Sequence, residues 1–138
     1  MYREYMSEYL IDGYKKSQFD LENVQFHEGG VTADLQYNMY EDTSNFAFHV
    51  SAIDIFVAIQ QLGVMYSAKV NNMKENRKEV LLKTANMTFE KMLTQKNVKV
   101  ILSNIIERKR TDKYVVYYGQ FDIADGASSG NCIYMQLI

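Results

Sequence analysis

The side chains best suited to acid–base chemistry stand close together in the middle of the chain, between positions 49 and 61. The imidazole of His49 can exchange protons near neutral pH, and Asp54 is the only acid in an otherwise apolar stretch. Asp54 can orient or deprotonate a water molecule. Equally, it can simply cap a helix, because the helix dipole favours an acid in the first turn. Gln60 and Gln61 are costly in apolar surroundings unless hydrogen-bonded, so each either contacts a ligand or satisfies neighbouring backbone.

One long helix over about residues 51–70 (SAIDIFVAIQQLGVMYSAKV) is expected to hold these side chains. Ser51 can cap its amino end, and Asp54 follows three residues later, as in a capping box. Isoleucine, valine and leucine then surround almost the whole axis, which is broken mainly by Asp54, Gln60, Gln61 and Gly63. A helix that is apolar on nearly all sides leaves no face for water. The rest of the chain is therefore predicted to wrap around it.

The remaining segments can supply a sheet. Gly29 and Gly30 separate two β-prone runs, which predicts a β-hairpin. Further strands are predicted around residues 81–89, 98–106, 114–123 and 132–137, as a meander, with a hairpin connection at DGASSGN. A short amphipathic helix is predicted over residues 2–14. No repeat or linker divides the chain, so we expect one α+β domain over residues 1–138, a curled antiparallel sheet around a central helix.

Composition excludes several functional classes. The 138 residues are 47% hydrophobic and carry a formal charge of -2. These values argue against global disorder and against a nucleic-acid or anionic-membrane surface as the main partner. The densest basic run, ERKRTDK at 107–113, is interrupted by acids and is predicted to be a solvated turn. His27 and His49 lack metal-ligand spacing and no phosphate-cradling glycine loop occurs, so no metal or cofactor is expected.

The single cysteine, Cys132, cannot form an internal disulfide, which favours a reducing compartment. No apolar run is long enough to span a bilayer, and the first residues lack the continuous apolar core of a signal peptide. We therefore expect a cytoplasmic protein without membrane insertion. Cys132 has no histidine near it in the sequence, so it is expected to pack rather than to act as a nucleophile.

Several segments resemble one known family. FHVSAIDIFVAIQQLGVMYSA, residues 48–68, resembles the central helix of the FcoT family of type III acyl-thioester hydrolases. The matching positions are a histidine, a polar residue two positions on, an alanine, an aliphatic, an acid and an amide pair: His49, Ser51, Ala52, Ile53, Asp54, Gln60 and Gln61. TFEKMLTQKNVKVIL, DGASSGNCIYMQL and LIDGY, which ends at Tyr14, are similar to other segments of that family. At Ser51 and Gln60 the family commonly has asparagine.

The resemblance implies a hot-dog fold that works as a homodimer or a higher homo-oligomer. It implies hydrolysis of a fatty acyl group carried on coenzyme A or on acyl carrier protein. Such chemistry needs donors for the developing oxyanion, and the backbone amides near residues 51–53 are candidates. The resemblance places catalytic roles at Asp54, His49, Ser51 and Gln60, and substrate-binding roles at Tyr14, Ala52, Ile53 and Gln61. Gln61 follows Asp54 by two helical turns on the same face, so both can line one groove.

Two alternatives remain open. The first is a lyase of the same fold that hydrates, dehydrates or adds an amine to an α,β-unsaturated acyl thioester, as in specialised lipid or polyketide synthesis. Dehydratases of this fold use a histidine ahead of the helix, as His49 is placed, but they also carry an acid farther along it. The corresponding segment here, QQLGVMY, contains no acid, which counts against dehydration. The second alternative is an acyl-binding protein without catalytic activity.

Overall fold

The computed structural model describes residues 18–39, 49–73 and 80–138. The predicted helix over residues 2–14, with Tyr14, lies outside the described residues. These ranges contain six strands and one helix: β1 (Gln18–His27), β2 (Gly30–Met39), α1 (Ala52–Val70), β3 (Val80–Phe89), β4 (Asn97–Arg110), β5 (Tyr114–Ile123) and β6 (Ser128–Leu137). Within these ranges no helix is long and apolar enough to cross a membrane.

The six strands form one antiparallel sheet in the order β1-β2-β4-β5-β6-β3. The predicted hairpin between β1 and β2 is confirmed, and Gly29 turns it with a left-handed φ of 65°. Strands β4, β5 and β6 follow one another as a meander. The prediction that β3 belongs to that meander is wrong, because β3 pairs with β6 at the opposite edge. The chain from β3 to β4 must therefore cross the end of the sheet.

Two strands are longer than the sequence predicts. β4 continues to Arg110, since Glu107 and Arg110 pair with Tyr117 and Val115 of β5, and only residues 111–113 form the turn. β6 begins at Ser128 rather than near residue 132, because the turn before it takes only residues 124–127. In both places the ladder includes polar residues that resemble turn residues when the sequence is considered alone.

Helix α1 packs with one side on the curled sheet. Ile55, Ala58 and Leu62 have no exposed surface. They lie on the side of the helix that contacts the sheet, mainly strands β2 and β4. On another side Ile53 is 42% exposed and Val57 is 41% exposed. The expectation that no face of this helix is left for water is therefore wrong. A single sheet covers only one side, and an apolar stripe remains open.

Three polar side chains, those of Asn71, Tyr117 and Arg110, form a clamp that holds the carboxyl end of α1 on the sheet. Asn71 forms the C-cap, and its Nδ2 donates to the hydroxyl of Tyr117 at 2.9 Å. Arg110 donates to Oδ1 of Asn71 at 2.8 Å. About two turns earlier, Gly63 lets the ring of Tyr134 lie against the helix, since a β-carbon there would stand 3.3 Å from that ring. This end of the helix is consequently fixed in position by β4, β5 and β6.

Candidate functional site

Two depressions border helix α1. The first, the helix-start pocket, has a volume of about 410 Å³ and is lined by His49, Val50, Ser51, Ala52 and residues 89–93. The second, the β1 groove, has a volume of about 380 Å³ and is lined by Phe19, Asp20, Leu21, Val57, Gln61 and Met65. Predicted site residues therefore border both depressions: His49, Ser51 and Ala52 the first, and Gln61 the second. Asp54 lines neither of these two depressions.

The crossing between β3 and β4 builds one wall of the helix-start pocket. Backbone hydrogen bonds fasten this crossing at three points: the N–H of Glu90 donates to Ala127 O at 2.9 Å, the N–H of Val50 donates to Leu93 O at 2.7 Å, and the N–H of Tyr37 donates to Lys96 O at 2.9 Å. Leu93, in the middle of this crossing, is buried. The wall is thus attached to the sheet and to the segment that leads into the helix.

The N-cap of the helix is the residue that the sequence predicts. Ser51 is the N-cap in extended conformation, and its Oγ accepts a hydrogen bond from the N–H of Asp54 at 3.2 Å. The first N–H groups of an α-helix have no carbonyl partner within the helix. Those of Ala52 and Ile53 belong to this set, and Ala52 lines the helix-start pocket. Partial positive charge from the helix dipole is also concentrated at this end of the helix.

Asp54 is held by a residue that sequence reasoning missed. Its carboxylate is 2% exposed, and Oδ2 accepts a hydrogen bond of 2.5 Å from the hydroxyl of Tyr37, which is itself 7% exposed. The ring of Phe19 meets that of Tyr37 edge-on, with 5.8 Å between centroids. The strand pattern contained a signal for this contact, since Tyr37 shares the core face of β2 with Val31, Ala33 and Leu35 and brings the only hydroxyl there.

The other predicted residues are distributed over different surroundings. His49 is half-buried and lines the helix-start pocket with Ser51 and Ala52. Gln60 reaches the start of β3, where its Nε2 donates to Val80 O at 3.4 Å. Gln61 is exposed and lines the β1 groove. The structure thus brings His49, Ser51 and Ala52 together, with Asp54 behind the first turn, whereas Gln60 and Gln61 stand apart.

The thiol of Cys132 and the hydroxyls of Tyr134 and Tyr66 lie outside both depressions. Burial raises the pKa of the Cys132 thiol to about 11, so this buried sulfur stays protonated near neutral pH. Burial also raises the pKa of Tyr134 and, to a smaller extent, that of Tyr66. Across the described ranges, no three His, Cys, Asp or Glu side chains come together as a set of metal ligands.

Comparison with known proteins places the fold. No model of a protein family and no curated protein matches this sequence. Among solved structures, a thioesterase variant from Pseudomonas aeruginosa is 14% identical, with a TM-score of 0.53 over 88% of this chain and 82% of that chain. A dehydratase heterocomplex from Xenorhabdus doucetiae is 13% identical, with a TM-score of 0.56 over 84% and 81% of the two chains. A Streptococcus mutans protein bound to acetyl-CoA is 11% identical, with a TM-score of 0.51 over 88% and 89%.

At such low identities these likenesses establish the fold and not the reaction. The six-stranded antiparallel sheet with one helix packed on it is the hot-dog fold, and the predicted fold class is confirmed. The narrower resemblance to the FcoT family remains a prediction.

Proposed function

We propose that the protein hydrolyses fatty acyl thioesters carried on coenzyme A or on acyl carrier protein. The observation that carries this proposal is the helix-start pocket, which has His49, Ser51 and the first helical residue, Ala52, in its lining, with Asp54 behind them. Solved structures of the same fold that are named thioesterases, and one that holds acetyl-CoA, support it. The resemblance of residues 48–68 to the FcoT helix points in the same direction.

The proposed reaction uses the start of the helix as an electrophilic surface. The thioester carbonyl lies against the N–H groups of Ala52 and Ile53, which stabilise the developing oxyanion. Loss of one such donor costs about 10²–10³ in rate in other enzymes. His49 on the pocket wall holds the attacking water. Asp54 is buried and lines neither depression, and Tyr37 occupies its Oδ2. We therefore assign Oδ1 to the attacking water through one bridging water molecule, so that Asp54 orients or deprotonates it indirectly.

The acyl chain is assigned to the open side of α1. Ile53 and Val57 form an exposed apolar stripe that begins beside the helix-start pocket, and Val57 also lines the β1 groove with Met65. From Ala52 to Met65 the helix rises about 20 Å, at roughly 1.5 Å per residue. That length suits a long fatty acyl chain. Gln61 borders the same groove, which accords with its predicted substrate-binding role.

A chain-length experiment tests the groove. Val57→Trp should lower the rate with long acyl chains far more than with short ones, because the indole fills the groove. Val70→Trp is the matched control, since Val70 is 53% exposed on the same helix but does not line the groove. If Val57→Trp lowers the rate equally at all chain lengths, or if the two variants have equal effects, the acyl chain does not bind in this groove.

A second copy of the chain is proposed to complete the site. β3 lies at an edge of the sheet and carries exposed apolar side chains, Leu81 at 40% and Phe89 at 41%, and Met92 just beyond is 73% exposed. Phe89 and Met92 also line the helix-start pocket. Antiparallel pairing of two β3 edges would satisfy the edge and close the pocket. Light scattering should give a dimer, and Leu81→Lys should make it dissociate, whereas Ile106→Lys on β4, exposed at 55%, should not.

The central experiment measures thiol release from acyl-CoAs and acyl carrier proteins of increasing chain length. We expect release by the parent protein and a large loss in Asp54→Asn. Asp34→Asn is the matched control, because Asp34 is a carboxylate on β2 that accepts from Asn23 and lines neither depression. Absence of release above buffer on every substrate, or full activity of Asp54→Asn, contradicts the proposal.

The lyase remains the second candidate because a dehydratase heterocomplex shares the fold and His49 stands in the pocket. Enoyl-thioester absorbance separates the two reactions. A lyase consumes the double bond and keeps the thioester, whereas a hydrolase releases thiol and keeps the double bond. Binding of acyl thioesters with neither change would favour an acyl-binding protein.

A further inference from the structure

We propose that Tyr37 is a positioning residue of the reaction and that it acts through Asp54. The inference rests on the proposed function, and it assigns a role to a strand residue outside the helix motif. Tyr37 does not line either depression described above. Its influence on the substrate therefore passes through the carboxylate that it binds.

The contact has the geometry of a strong hydrogen bond. The distance from the Tyr37 hydroxyl to Oδ2 of Asp54 is 2.5 Å, at the short end of the range for a hydroxyl that donates to a carboxylate. Tyr37 and Asp54 are 7% and 2% exposed, so water competes little with the bond. A buried carboxylate is costly unless donors satisfy it. The hydroxyl of Tyr37 therefore favours one orientation of the Asp54 side chain.

Both partners are themselves fixed. The backbone of Asp54 is held by the Ser51 cap at 3.2 Å. The ring of Tyr37 is held by Phe19 at 5.8 Å between centroids, and its backbone N–H donates to Lys96 O at 2.9 Å. A donor that is already immobilised loses little further entropy when it binds the carboxylate.

The same tyrosine connects the carboxylate to the pocket wall. Lys96, which accepts from Tyr37, ends the crossing whose Leu93 carbonyl accepts from Val50 at 2.7 Å. Val50 stands between His49 and Ser51 in the chain. The positions of His49, Ser51 and Asp54 thus all depend on attachments to one stretch of the crossing, with Tyr37 as the link from β2.

A double-mutant cycle of Tyr37→Phe and Asp54→Asn tests the inference. Tyr37→Phe alone should lower kcat about 10- to 100-fold, the effect of losing a hydrogen bond to a charged group, with KM nearly unchanged. In the Asp54→Asn background the same change should have little further effect on kcat, because the group through which it acts is gone. Independent, multiplicative losses would overturn the inference.

Tyr134→Phe is the matched control. Like Tyr37, Tyr134 is a buried tyrosine, with 3% of its surface exposed. Its hydroxyl lies next to Ser67, but it makes no well-aligned hydrogen bond to any described residue. This variant should keep the parent kcat. A similar loss of kcat in Tyr134→Phe would overturn the positioning role, since removal of any buried phenol hydroxyl would then have the same effect.

A spectroscopic measurement separates the inference from the proposed function. The short hydrogen bond should give a low-field proton NMR signal that is present in the parent and in Tyr134→Phe, and absent in Tyr37→Phe and Asp54→Asn. A parent that turns over thioesters but lacks this signal overturns the inference alone, as does a Tyr37→Phe variant with the parent kcat. A parent without turnover on any thioester overturns the proposed function, and the positioning role with it.

Discussion

Substitution of Gly130 in β6 should destabilise the fold more than any comparable change in a neighbouring strand. A β-carbon on Gly130 would overlap the carbonyl oxygen of Asn86 in β3 and would lie 2.7 Å from Cζ of Phe121. The carbonyl belongs to the backbone of a paired strand, where Gly130 stands opposite Met87. It cannot rotate away as a side chain would. Gly130→Ala can be accommodated only if β3 and β6 separate locally.

The magnitude follows from the two contacts. Overpacking of a well-packed interior costs about 1–3 kcal/mol, and loss of two ladder hydrogen bonds adds about 1 kcal/mol each. The free energy of unfolding should therefore fall by roughly 3–5 kcal/mol, the sum of those terms. For a domain of this size that corresponds to a drop in Tm of roughly 10–20 °C.

Gly119→Ala in β5 provides the matched control. A β-carbon on Gly119 would stand 3.1 Å from Cδ1 of Leu102, and that methyl group can move because it ends a flexible side chain. Here the loss should be within about 1 kcal/mol, partly offset because alanine restricts the unfolded chain. Urea and thermal unfolding followed by circular dichroism measure both variants. If Gly130→Ala melts within a few degrees of Gly119→Ala, the argument from the rigid carbonyl is wrong.

Three further predictions concern other parts of the structure. Ser51→Ala should lower the free energy of unfolding by about 1 kcal/mol, while Ser51→Asn, another good N-cap, should retain most of it; equal urea midpoints for parent and Ser51→Ala would contradict the cap. Asn71→Ala should lower the free energy of unfolding by about 1–3 kcal/mol, because Arg110 and the hydroxyl of Tyr117 lose their shared partner. In the Asn71→Ala background, Arg110→Ala should lower it little further, and additive losses in unfolding experiments would show that the clamp does not act as a unit. Burial raises the pKa of the Cys132 thiol to about 11 in the folded protein, from an ordinary value of 9.0, so the thiol loses its proton at a lower pH in the unfolded chain. The free energy of unfolding should therefore fall as the pH rises from about 9 to about 11. Cys132→Ala should show a smaller fall, and an identical pH dependence in the two proteins would exclude the thiol as the cause of the fall.

Much of the local structure follows from the sequence alone. Ser51, with apolar residues from Ile53 onward, determines where the helix begins and that it carries a buried side, because caps and helical periodicity act within a few residues. Gly29 determines the first hairpin for the same reason, since the turn needs a left-handed residue at that point. His49, Ser51 and Ala52 meet at one pocket because they are adjacent in the chain.

The tertiary structure decided which distant segments meet. Nothing local states that β3 pairs with β6 rather than with β4, yet this pairing sends the crossing past the helix start and so creates the pocket wall. Nor does the helix motif contain Tyr37, whose contact with Asp54 joins residues 17 positions apart. Strand pairing and burial depend on the summed packing of all the elements. For that reason the sequence alone predicts the cap of the helix, whereas it places Tyr37 only on the core face of a strand and the tertiary structure decides that its hydroxyl meets Asp54.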